Sequence, residues 1–322
     1  MIITRTPFRI SFAGGGTDLP GFYAHNRGVV LTTAIDKYMY IIVNRRFDQS
    51  IRVSYSRTEI VAEAGRLEHP IVREALTMLG MHHGLEIISI ADVPAQTGLG
   101  SSGSFTVGLL HALHAFRGEH PAAEQLAAEA CEIEIERLKE PIGKQDQYIA
   151  AYGGLQRIQF NSDDTVFVDP LICAPGTIRL LNDHLMLFFT GVTRAAGEIL
   201  AEQQRDLNAV AGQLAALGEL AECMRASLIG TPRLREFGEL LHDGWAIKRQ
   251  LGGVTSDAID RWYELARAAG AIGGKILGAG GGGFLLLFVE PDARAAVTAA
   301  LTPLVELPFR CEPQGTKVIY SA

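Results

Sequence analysis

Blocks of apolar residues with regularly interspersed polar positions run through the first 60 residues, and this pattern is typical of β-strands. The strands predicted here are 2–3, 9–12, 28–33, 38–44 and 51–55. A helix is predicted over 71–81, because Pro70 is suited to a first helical turn. The next predicted elements are a strand at 86–91, helices at 104–116 and 122–138, and strands within 153–169.

The second half of the chain is richer in helical patterns. Thr231 and Pro232 are typical of a helix start, and Ser256 is a typical N-cap for the helix after it. A strand is predicted at 185–189, followed by helices within 195–228, a helix from Thr231 to Leu251 and a helix from Ser256 to Ala269. Strands at 275–277 and 284–289, a helix at 292–304 and a strand at 317–320 complete the prediction. This mixed order predicts two α+β domains, 1–172 and 173–322, rather than a regular βαβ winding.

Composition narrows the class of protein. The chain of 322 residues is 48% hydrophobic and 20% charged, so it can bury a large core. Its net charge of −7 argues against a general nucleic-acid-binding protein. No apolar run reaches the roughly 18 residues that span a bilayer, no secretory pattern is present, and the four cysteines form no CxxC pair. We therefore predict a cytoplasmic globular protein without a nucleic-acid or membrane partner, and the sequence leaves open whether it forms a homo-oligomer.

Glycine is concentrated in three clusters, Gly14–Gly16, Gly98–Gly103 and Gly278–Gly283. Glycine allows a backbone to adopt positive φ or to let another group approach closely, so the clusters indicate loops that converge on a polyanionic ligand. The central cluster precedes a helix, whose free N–H groups attract anions. Ser101 and Ser102 add hydroxyl groups for a phosphate or Mg²⁺. For this loop alone, a tight turn with serine caps is an equally good interpretation.

The better-known phosphate loops do not fit. Neither lysine that follows a glycine, Lys144 or Lys275, is followed by the Ser or Thr that a P-loop requires. The GxGxxG pattern at 98–103 leads to a second helix, and the one at 278–283 to a strand, so both lack the context of a dinucleotide site. The nucleophile-elbow pattern GxSxG is absent.

Two carboxylates stand out in the segment 134–147. Glu134 is predicted on a helix that Pro141 and Gly143 end, and Asp146 opens the next helical turn. This arrangement can bring one carboxylate for a metal and one for a base to the same place. Glutamates on a solvated helix face are the alternative, and we adopt it for the neighbouring glutamates 132, 136 and 140; periodicity does not separate Glu134 and Asp146 from it.

Three segments resemble, in the same order, those of the GHMP kinases, the family of galactokinase and of homoserine, mevalonate and phosphomevalonate kinases. They read PFRISFAGGGTD at 7–18, PAQTGLGSSG at 94–103 and LGAGGGGF at 277–284. Gly103 replaces the alanine of many members, and Phe284 replaces the cysteine of several. The resemblance implies a two-domain α+β fold, with a mixed-sheet, nucleotide-binding N-terminal domain and a ferredoxin-like C-terminal domain. It also implies an enzyme that uses ATP and Mg²⁺.

Within the family, the sugar kinases fit best. The spacing from Arg9 to Asp18 and the ending Gly-x-x-Asp-Gln at 143–147 look like galactokinase, but the galactokinase GEHTD is GGGTD here. The segments RTPFRISFAGGGTDLP at 5–20 and EPIGKQDQ at 140–147 are most similar to the bacterial kinases of D-glycero-α-D-manno-heptose 7-phosphate. That similarity implies phosphorylation of the anomeric hydroxyl to the 1,7-bisphosphate, on the route to nucleotide-activated heptose. The alternatives are another sugar 1-kinase of the family, similar to fucokinase or galactokinase, a kinase of the family that acts on an isoprenoid or amino-acid alcohol, and a catalytically silent sugar sensor.

The resemblance also implies roles for individual residues. Asp146 accepts the proton of the sugar hydroxyl and Arg9 stabilises the transferred phosphoryl group, while Ser102 and Glu134 hold Mg²⁺. The backbone that cradles the nucleotide phosphates comprises Gly98, Leu99, Gly100, Ser101, Ser102 and Gly103. The residues expected at the sugar are Asp18, Gly16, Thr17, Gly280 and Gly281. Lys144 and Arg194 are hypothesised as cationic partners of a 7-phosphate, with structural ion pairs as the alternative.

Overall fold

The computed structural model describes residues 1–193 and 207–322, whose strands form two separate sheets. In the first half the strands are β1 (Ile2–Ala13), β2 (Gly28–Arg45), β3 (Ile51–Ser54), β4 (Thr58–Val61), β5 (Leu85–Ala91), β6 (Leu155–Phe160) and β7 (Val166–Pro170). The helices there are α1 (Pro20–Tyr23), α2 (Pro70–Met78), α3 (Ser101–Phe116), α4 (Ala123–Cys131) and α5 (Gln145–Tyr152), with a 3₁₀ turn at Ala64–Arg66 and a π-helical stretch at Glu132–Arg137.

The second half contains α6 (Thr177–His184), β8 (Leu185–Phe189), α7 (Leu207–Leu228), α8 (Leu234–Lys248), α9 (Asp257–Ala268), β9 (Ala271–Ile276), β10 (Phe284–Val289), α10 (Arg294–Ala300), β11 (Val305–Glu306) and β12 (Lys317–Ser321). Its antiparallel sheet has the order β11-β8-β10-β9, which is the ferredoxin-like order. The predicted ferredoxin-like second domain is therefore confirmed. None of the helices in the two described stretches is long and apolar enough to cross a membrane.

The larger sheet has eight strands and is mixed, as predicted. Its main path is β12-β1-β2-β5-β3-β4, and only β3 and β5 pair in parallel. Residues 28–33 and 38–44, predicted as two strands, belong to the single strand β2. The strand continues through 34–37 because Ala34 and Asp36 find backbone partners in Gly154, Arg310 and Glu312. Sequence patterns do not reveal such long-range partners.

The strand β12 belongs to the larger sheet although it ends the chain. It pairs antiparallel with β1, from Ile2 opposite Ser321 to Arg5 opposite Lys317. The predicted second domain therefore returns one strand to the sheet of the first. The boundary between 172 and 173 stays a prediction.

One apolar core connects the two sheets. Phe12 on β1 lies edge-on against Phe237 on α8, with 5.2 Å between ring centroids, and Phe237 contacts Phe288 on β10 at 5.8 Å. All three rings are almost fully buried. Since burying an aromatic side chain contributes roughly 1.5–3 kcal/mol, this stack fixes the second domain against β1.

Helix α3 is joined to β1 by hydrogen bonds, and the central glycine loop lies between its start and that strand. It starts at Ser101, three residues before its predicted start of 104, so both loop serines lie in its first turn. Ser104 donates a hydrogen bond to the carbonyl of Pro7 at 2.8 Å, and Thr4 donates one to the carbonyl of Gly108 at 2.9 Å. These bonds hold the first half of α3 against β1. The N–H of Arg9 on the same strand bonds to the carbonyl of Leu99 at 3.0 Å, just before the helix starts.

Candidate active site

A cavity of about 890 Å³ lies between the two domains. All three glycine clusters contribute to its lining, through Gly14, Gly15 and Gly16, through Gly98, Gly100, Ser101 and Ser102, and through Gly278, Ala279, Gly280 and Gly282. The loops thus converge in space, as the glycine pattern indicates. The cavity also collects Arg9, Asp18, Glu134 and Asp146, which are far apart in the sequence.

Two of the glycine loops meet through their backbones. Gly98 and Gly278 both have positive φ, +82° and +67°. A Cβ on Gly98 would lie 2.6 Å from the carbonyl oxygen of Leu277, and a Cβ on Gly278 would lie 2.6 Å from the Cα of Gly98. No other residue fits at either position without moving a backbone. The late loop of the second domain therefore closes directly over the central loop of the first.

The start of α3 forms an anion site beside this contact. Its N-cap residue is Gly100, in the left-handed region, and no side chain caps the helix there. The first N–H groups of a helix have no partner inside the helix, and Gly100, Ser101 and Ser102 line the cavity. Phosphate oxygens are suited to these donors and to the positive end of the helix dipole.

Arg9 and Asp146 form a bidentate ion pair on the cavity wall. Nε of Arg9 donates to Oδ1 of Asp146 at 2.6 Å, and Nη2 donates to Oδ2 at 2.8 Å. The remaining Nη1 donates to the carbonyl of Gly98. Only 6% of the Arg9 side chain is exposed, compared with 23% of the Asp146 side chain. The arginine is therefore fixed in place, while the carboxylate remains accessible to a bound molecule.

Asp18 is a second buried carboxylate in this cavity. Its Oδ1 accepts from the N–H of Gly16 at 2.9 Å, and its Oδ2 accepts from the N–H of Gln145 at 3.2 Å. Burial raises the pKa of Asp18, the charge of Asp146 raises it further, and the backbone donors oppose both effects. Oxygens that each accept one backbone bond keep lone pairs for a sugar hydroxyl.

Glu134 lies in the π-helical stretch and is 1% exposed. Its Oε2 accepts from Nε2 of Gln147 at 2.8 Å. Burial raises the pKa of Glu134 to about 7, although hydrogen bonds with Gln147, Ser102 and Thr106 lower it. A buried carboxylate beside a serine hydroxyl offers the hard oxygen donors that Mg²⁺ prefers. A bound cation would also offset the electrostatic cost of burying the negative charge.

Other predicted residues have different surroundings. Thr17 lies beneath the first glycine loop, where its hydroxyl bonds to the carbonyl of Gly14 at 2.7 Å. Gly280 lines the cavity, whereas the N–H of Gly281 is bonded to the carbonyl of Val254 at 2.8 Å. Lys144 Nζ pairs with Asp164 at 2.7 Å and lies over the Tyr23 ring, and it is not part of the cavity lining. Arg194 lies outside the described residues.

Two buried lysines of the second domain also line the cavity, and the sequence analysis did not identify them. Lys275 Nζ donates to the carbonyls of Ser11 at 2.9 Å and Phe12 at 3.0 Å. Lys248 Nζ donates to the carbonyl of Gly278. Burial lowers both pKa values, that of Lys248 to about 8. For Lys275 a signal exists, because a lysine in an apolar, glycine-containing strand is unusual; Lys248 ends an ordinary amphipathic helix.

The opposite end of the cavity is aromatic. Tyr55, His69 and Phe105 line it, with the His69 ring stacked on Phe105 at 5.0 Å and edge-on to Tyr55 at 4.7 Å. Burial lowers the pKa of His69, which favours the neutral ring. A flat, weakly polar wall of this kind is suited to a planar heterocycle. These residues come from three separate segments of the chain, so no local pattern in the sequence marks them.

Comparison with known proteins shows the family of the chain. Residues 53–154 match the family model described as GHMP kinases N terminal domain, and residues 210–303 match GHMP kinases C terminal. The chain is similar to D-glycero-alpha-D-manno-heptose 7-phosphate kinase of Campylobacter jejuni, with 30% identity over 93% of each chain. It is also similar to the bifunctional fucokinase/GDP-fucose pyrophosphorylase of Arabidopsis thaliana, with 26% identity over 90% of this chain and 30% of that protein.

Solved structures share the fold over the whole chain. A crystal structure of a D-glycero-D-manno-heptose 1-phosphate kinase from Bacteroides thetaiotaomicron has a TM-score of 0.82 at 24% identity and covers 100% of both chains. Lactococcus lactis galactokinase complexed with galactose has a TM-score of 0.78 at 19% identity, covering 98% of this chain and 94% of that one. At these identities the likeness is one of fold.

Proposed function

The chain belongs to the GHMP kinase family, and we propose that it transfers a phosphoryl group from ATP to the anomeric hydroxyl of D-glycero-α-D-manno-heptose 7-phosphate. The product is the 1,7-bisphosphate, which serves the synthesis of nucleotide-activated heptose. The observation that carries this proposal is the bidentate pair of Arg9 and Asp146 beside the start of α3. Since ATP is the donor, the activity belongs in the cytoplasm.

Asp146 is the general base for the acceptor. It takes the proton of the anomeric hydroxyl while that oxygen bonds to the γ-phosphorus and the bond from phosphorus to the oxygen of ADP breaks. Arg9 orients the carboxylate through two hydrogen bonds and adds positive charge where the phosphoryl group passes. Asp18, held by the N–H groups of Gly16 and Gln145, accepts hydrogen bonds from sugar hydroxyls, and Gly16 lines the same part of the cavity.

The donor occupies the first-domain side of the cavity. Its phosphates bind the backbone of the central loop and the start of α3, at Gly98, Leu99, Gly100, Ser101, Ser102 and Gly103. Its base stacks in the aromatic end formed by Tyr55, His69 and Phe105. Gly280 and Gly281 belong to the late loop that covers the acceptor from the second domain.

Ser102 and Glu134 would hold Mg²⁺. When bound, the ion supplies positive charge that offsets the charge of the phosphates. Glu134 is kept in place by Gln147, whose amide donates to it at 2.8 Å. Because a cation removes the cost of a buried negative charge, the raised pKa of Glu134 supports this assignment.

The choice of acceptor rests on the relative from Campylobacter jejuni, whose name states heptose 7-phosphate as its substrate. The fucokinase from Arabidopsis thaliana favours a second candidate, a kinase for the anomeric hydroxyl of an unphosphorylated sugar. Both candidates use the same base and the same loop. They differ in whether the site must also recognise a phosphate at the far end of the sugar.

The test is ADP release from Mg·ATP by the purified chain with heptose 7-phosphate, unphosphorylated heptose, fucose, galactose and mannose. We expect kcat/KM for the 7-phosphate to exceed that for every other sugar by at least about tenfold, which corresponds to ~1.4 kcal/mol. Preference for an unphosphorylated sugar would overturn the acceptor and keep the reaction. ATP binding without turnover of any sugar would favour the silent sugar sensor.

A further inference from the structure

Lys248 is a buried cation without an ionic partner in the cavity. It ends helix α8, is 8% exposed and lines the cavity wall. Within residues 1–193 and 207–322, no carboxylate forms an ion pair with it, and its one hydrogen bond goes to the carbonyl of Gly278. An ammonium group has three N–H donors, so two of them are available to a bound molecule.

An unpaired charge in such a place requires an explanation. Burying an ammonium group costs several kcal/mol unless an opposite charge accompanies it, and the pKa of Lys248 is accordingly lowered to about 8. The other cavity cations are already engaged, since Arg9 pairs with Asp146 and Lys275 bonds to two carbonyls of β1. Among the described residues, Lys248 is therefore the cavity cation that has no carboxylate partner and keeps two of its three N–H donors unused.

Lys248 lies near residues that the proposed function assigns to the reacting sugar. Burial and the positive charge of Arg9 lower the pKa of Lys248, and the negative charge of Asp18, the proposed sugar ligand, raises it, so both charges act on this ammonium group. Helix α7 covers the same part of the cavity, because a Cβ on Gly16 would meet Leu214 at 2.7 Å and Leu217 lines the cavity. The phosphates of the donor have their own binding groups on the first domain, at the start of α3.

We propose that Lys248 binds the phosphate group that the acceptor sugar already carries, and that it selects a sugar phosphate over the free sugar. This inference rests on the proposed function. Its ammonium group donates to the phosphate oxygens while the bond to Gly278 ties it to the late loop. Of the two residues that the sequence suggests for this role, Lys144 pairs with Asp164 and does not line the cavity, and Arg194 lies outside the described residues.

The test compares steady-state kinetics of wild type, Lys248→Met, Lys248→Arg and Lys144→Met with heptose 7-phosphate and with unphosphorylated heptose. Methionine keeps the length and packing of the side chain and removes the charge. We expect Lys248→Met to raise KM for the 7-phosphate by about 10- to 100-fold, as expected for a lost charge-assisted hydrogen bond. Its kcat/KM for unphosphorylated heptose and its KM for ATP should stay within about twofold of wild type. Arginine should restore part of the affinity for the 7-phosphate.

Arg249→Met is the matched control, since it removes one positive charge from the neighbouring residue, which pairs with Asp260 outside the cavity. We expect Arg249→Met to leave KM and kcat/KM unchanged for both acceptors. The assignment would be overturned if Lys248→Met lowered kcat/KM equally for both acceptors, or if Lys144→Met instead lowered it only for the 7-phosphate. Wild type that prefers no sugar phosphate would overturn the proposed acceptor and this inference together. Retained preference in Lys248→Met would overturn only the inference.

Discussion

The carboxylate of Asp18 occupies the space next to Gly143 that any side chain there would need. A Cβ on Gly143 would lie 1.9 Å from Oδ2 of Asp18. The absence of a side chain at Gly143 therefore allows the carboxylate of Asp18, which is proposed to bind the sugar, to take its position. Its φ is not in the left-handed region, so the requirement for glycine is steric.

From this contact we expect Gly143→Ala to displace Asp18 and weaken sugar binding. KM for the acceptor should rise by about tenfold or more, because a shift of about 1 Å in a positioning group has large effects on catalysis. KM for ATP should change little. Gly65→Ala is the matched control, since a Cβ there meets nothing within 4 Å. An unchanged KM for the acceptor in Gly143→Ala would contradict the role of Asp18.

A similar contact exists between Gly103 and the base. A Cβ on Gly103 would lie 2.9 Å from Cβ of Asp146 and 3.0 Å from its carbonyl carbon, so alanine has to push the start of α5 away. We expect Gly103→Ala to reduce kcat by about tenfold with little effect on stability, because alanine favours helix by about 1 kcal/mol over glycine. Gly212→Ala, in an open position of α7, controls for the helix effect. The check is kcat together with urea unfolding, and a kcat equal to wild type would show that α5 adjusts without moving Asp146.

Arg9 and Asp146 should act as one unit. We expect Asp146→Asn and Arg9→Met each to reduce kcat by about 10²- to 10⁴-fold, and the double variant to be little worse than either single variant. ATP binding, measured by calorimetry, should persist in all three. Asp169→Asn, which removes an exposed carboxylate paired with Arg157, serves as the control. Additive effects of the two substitutions would indicate that the pair does not work as a unit.

Glu134 predicts a dependence of stability on pH. Its pKa is raised to about 7 in the folded protein, from an ordinary value of 4.5. The folded state therefore binds more protons than the unfolded state between these values, and the free energy of unfolding contributed by this group falls as pH rises from 4.5 through 7. Without Mg²⁺ at pH 8, we expect Glu134→Gln to be more stable than wild type by about 1–3 kcal/mol, with the difference disappearing near pH 4.5.

The same substitution should nearly abolish turnover, because it removes the proposed Mg²⁺ ligand. Urea unfolding at the two pH values and a Mg²⁺ titration of activity measure the two effects. Glu136→Gln, on an exposed residue of the same stretch, should change neither. A less stable Glu134→Gln at pH 8 would show that the carboxylate is not a buried, uncompensated charge.

The sequence predicts best where a local pattern determines the structure. The strands 185–189 and 284–289 are found with their observed bounds because a continuous apolar run can only be buried. Helix α6 and the strands β4 and β11 are missed, because they are short and carry few apolar residues. The π-helical turn at Glu132–Arg137 has no signal in the pattern of an apparently continuous helix.

The candidate site divides in the same way. Arg9, Asp18, Ser102 and Asp146 lie in compact segments that resemble a family, so they can be identified along the chain. Lys248, Lys275 and the aromatic end of the cavity become visible only when distant elements come together. Single lysines and aromatic residues are common in every protein, and only their burial in a shared cavity distinguishes these.

Because β12 returns to pair with β1, an exchange of the two domains between family members as two consecutive blocks would take the two strands of this pair from different parents. A chimaera with one crossover near residue 172 would combine β1 of one parent with β12 of the other, next to the strand that carries Arg9. A chimaera with two crossovers, which keeps 317–321 with the first parent, retains the native strand pair. Recombination within this family should therefore favour inserted middle segments over exchanged C-terminal halves.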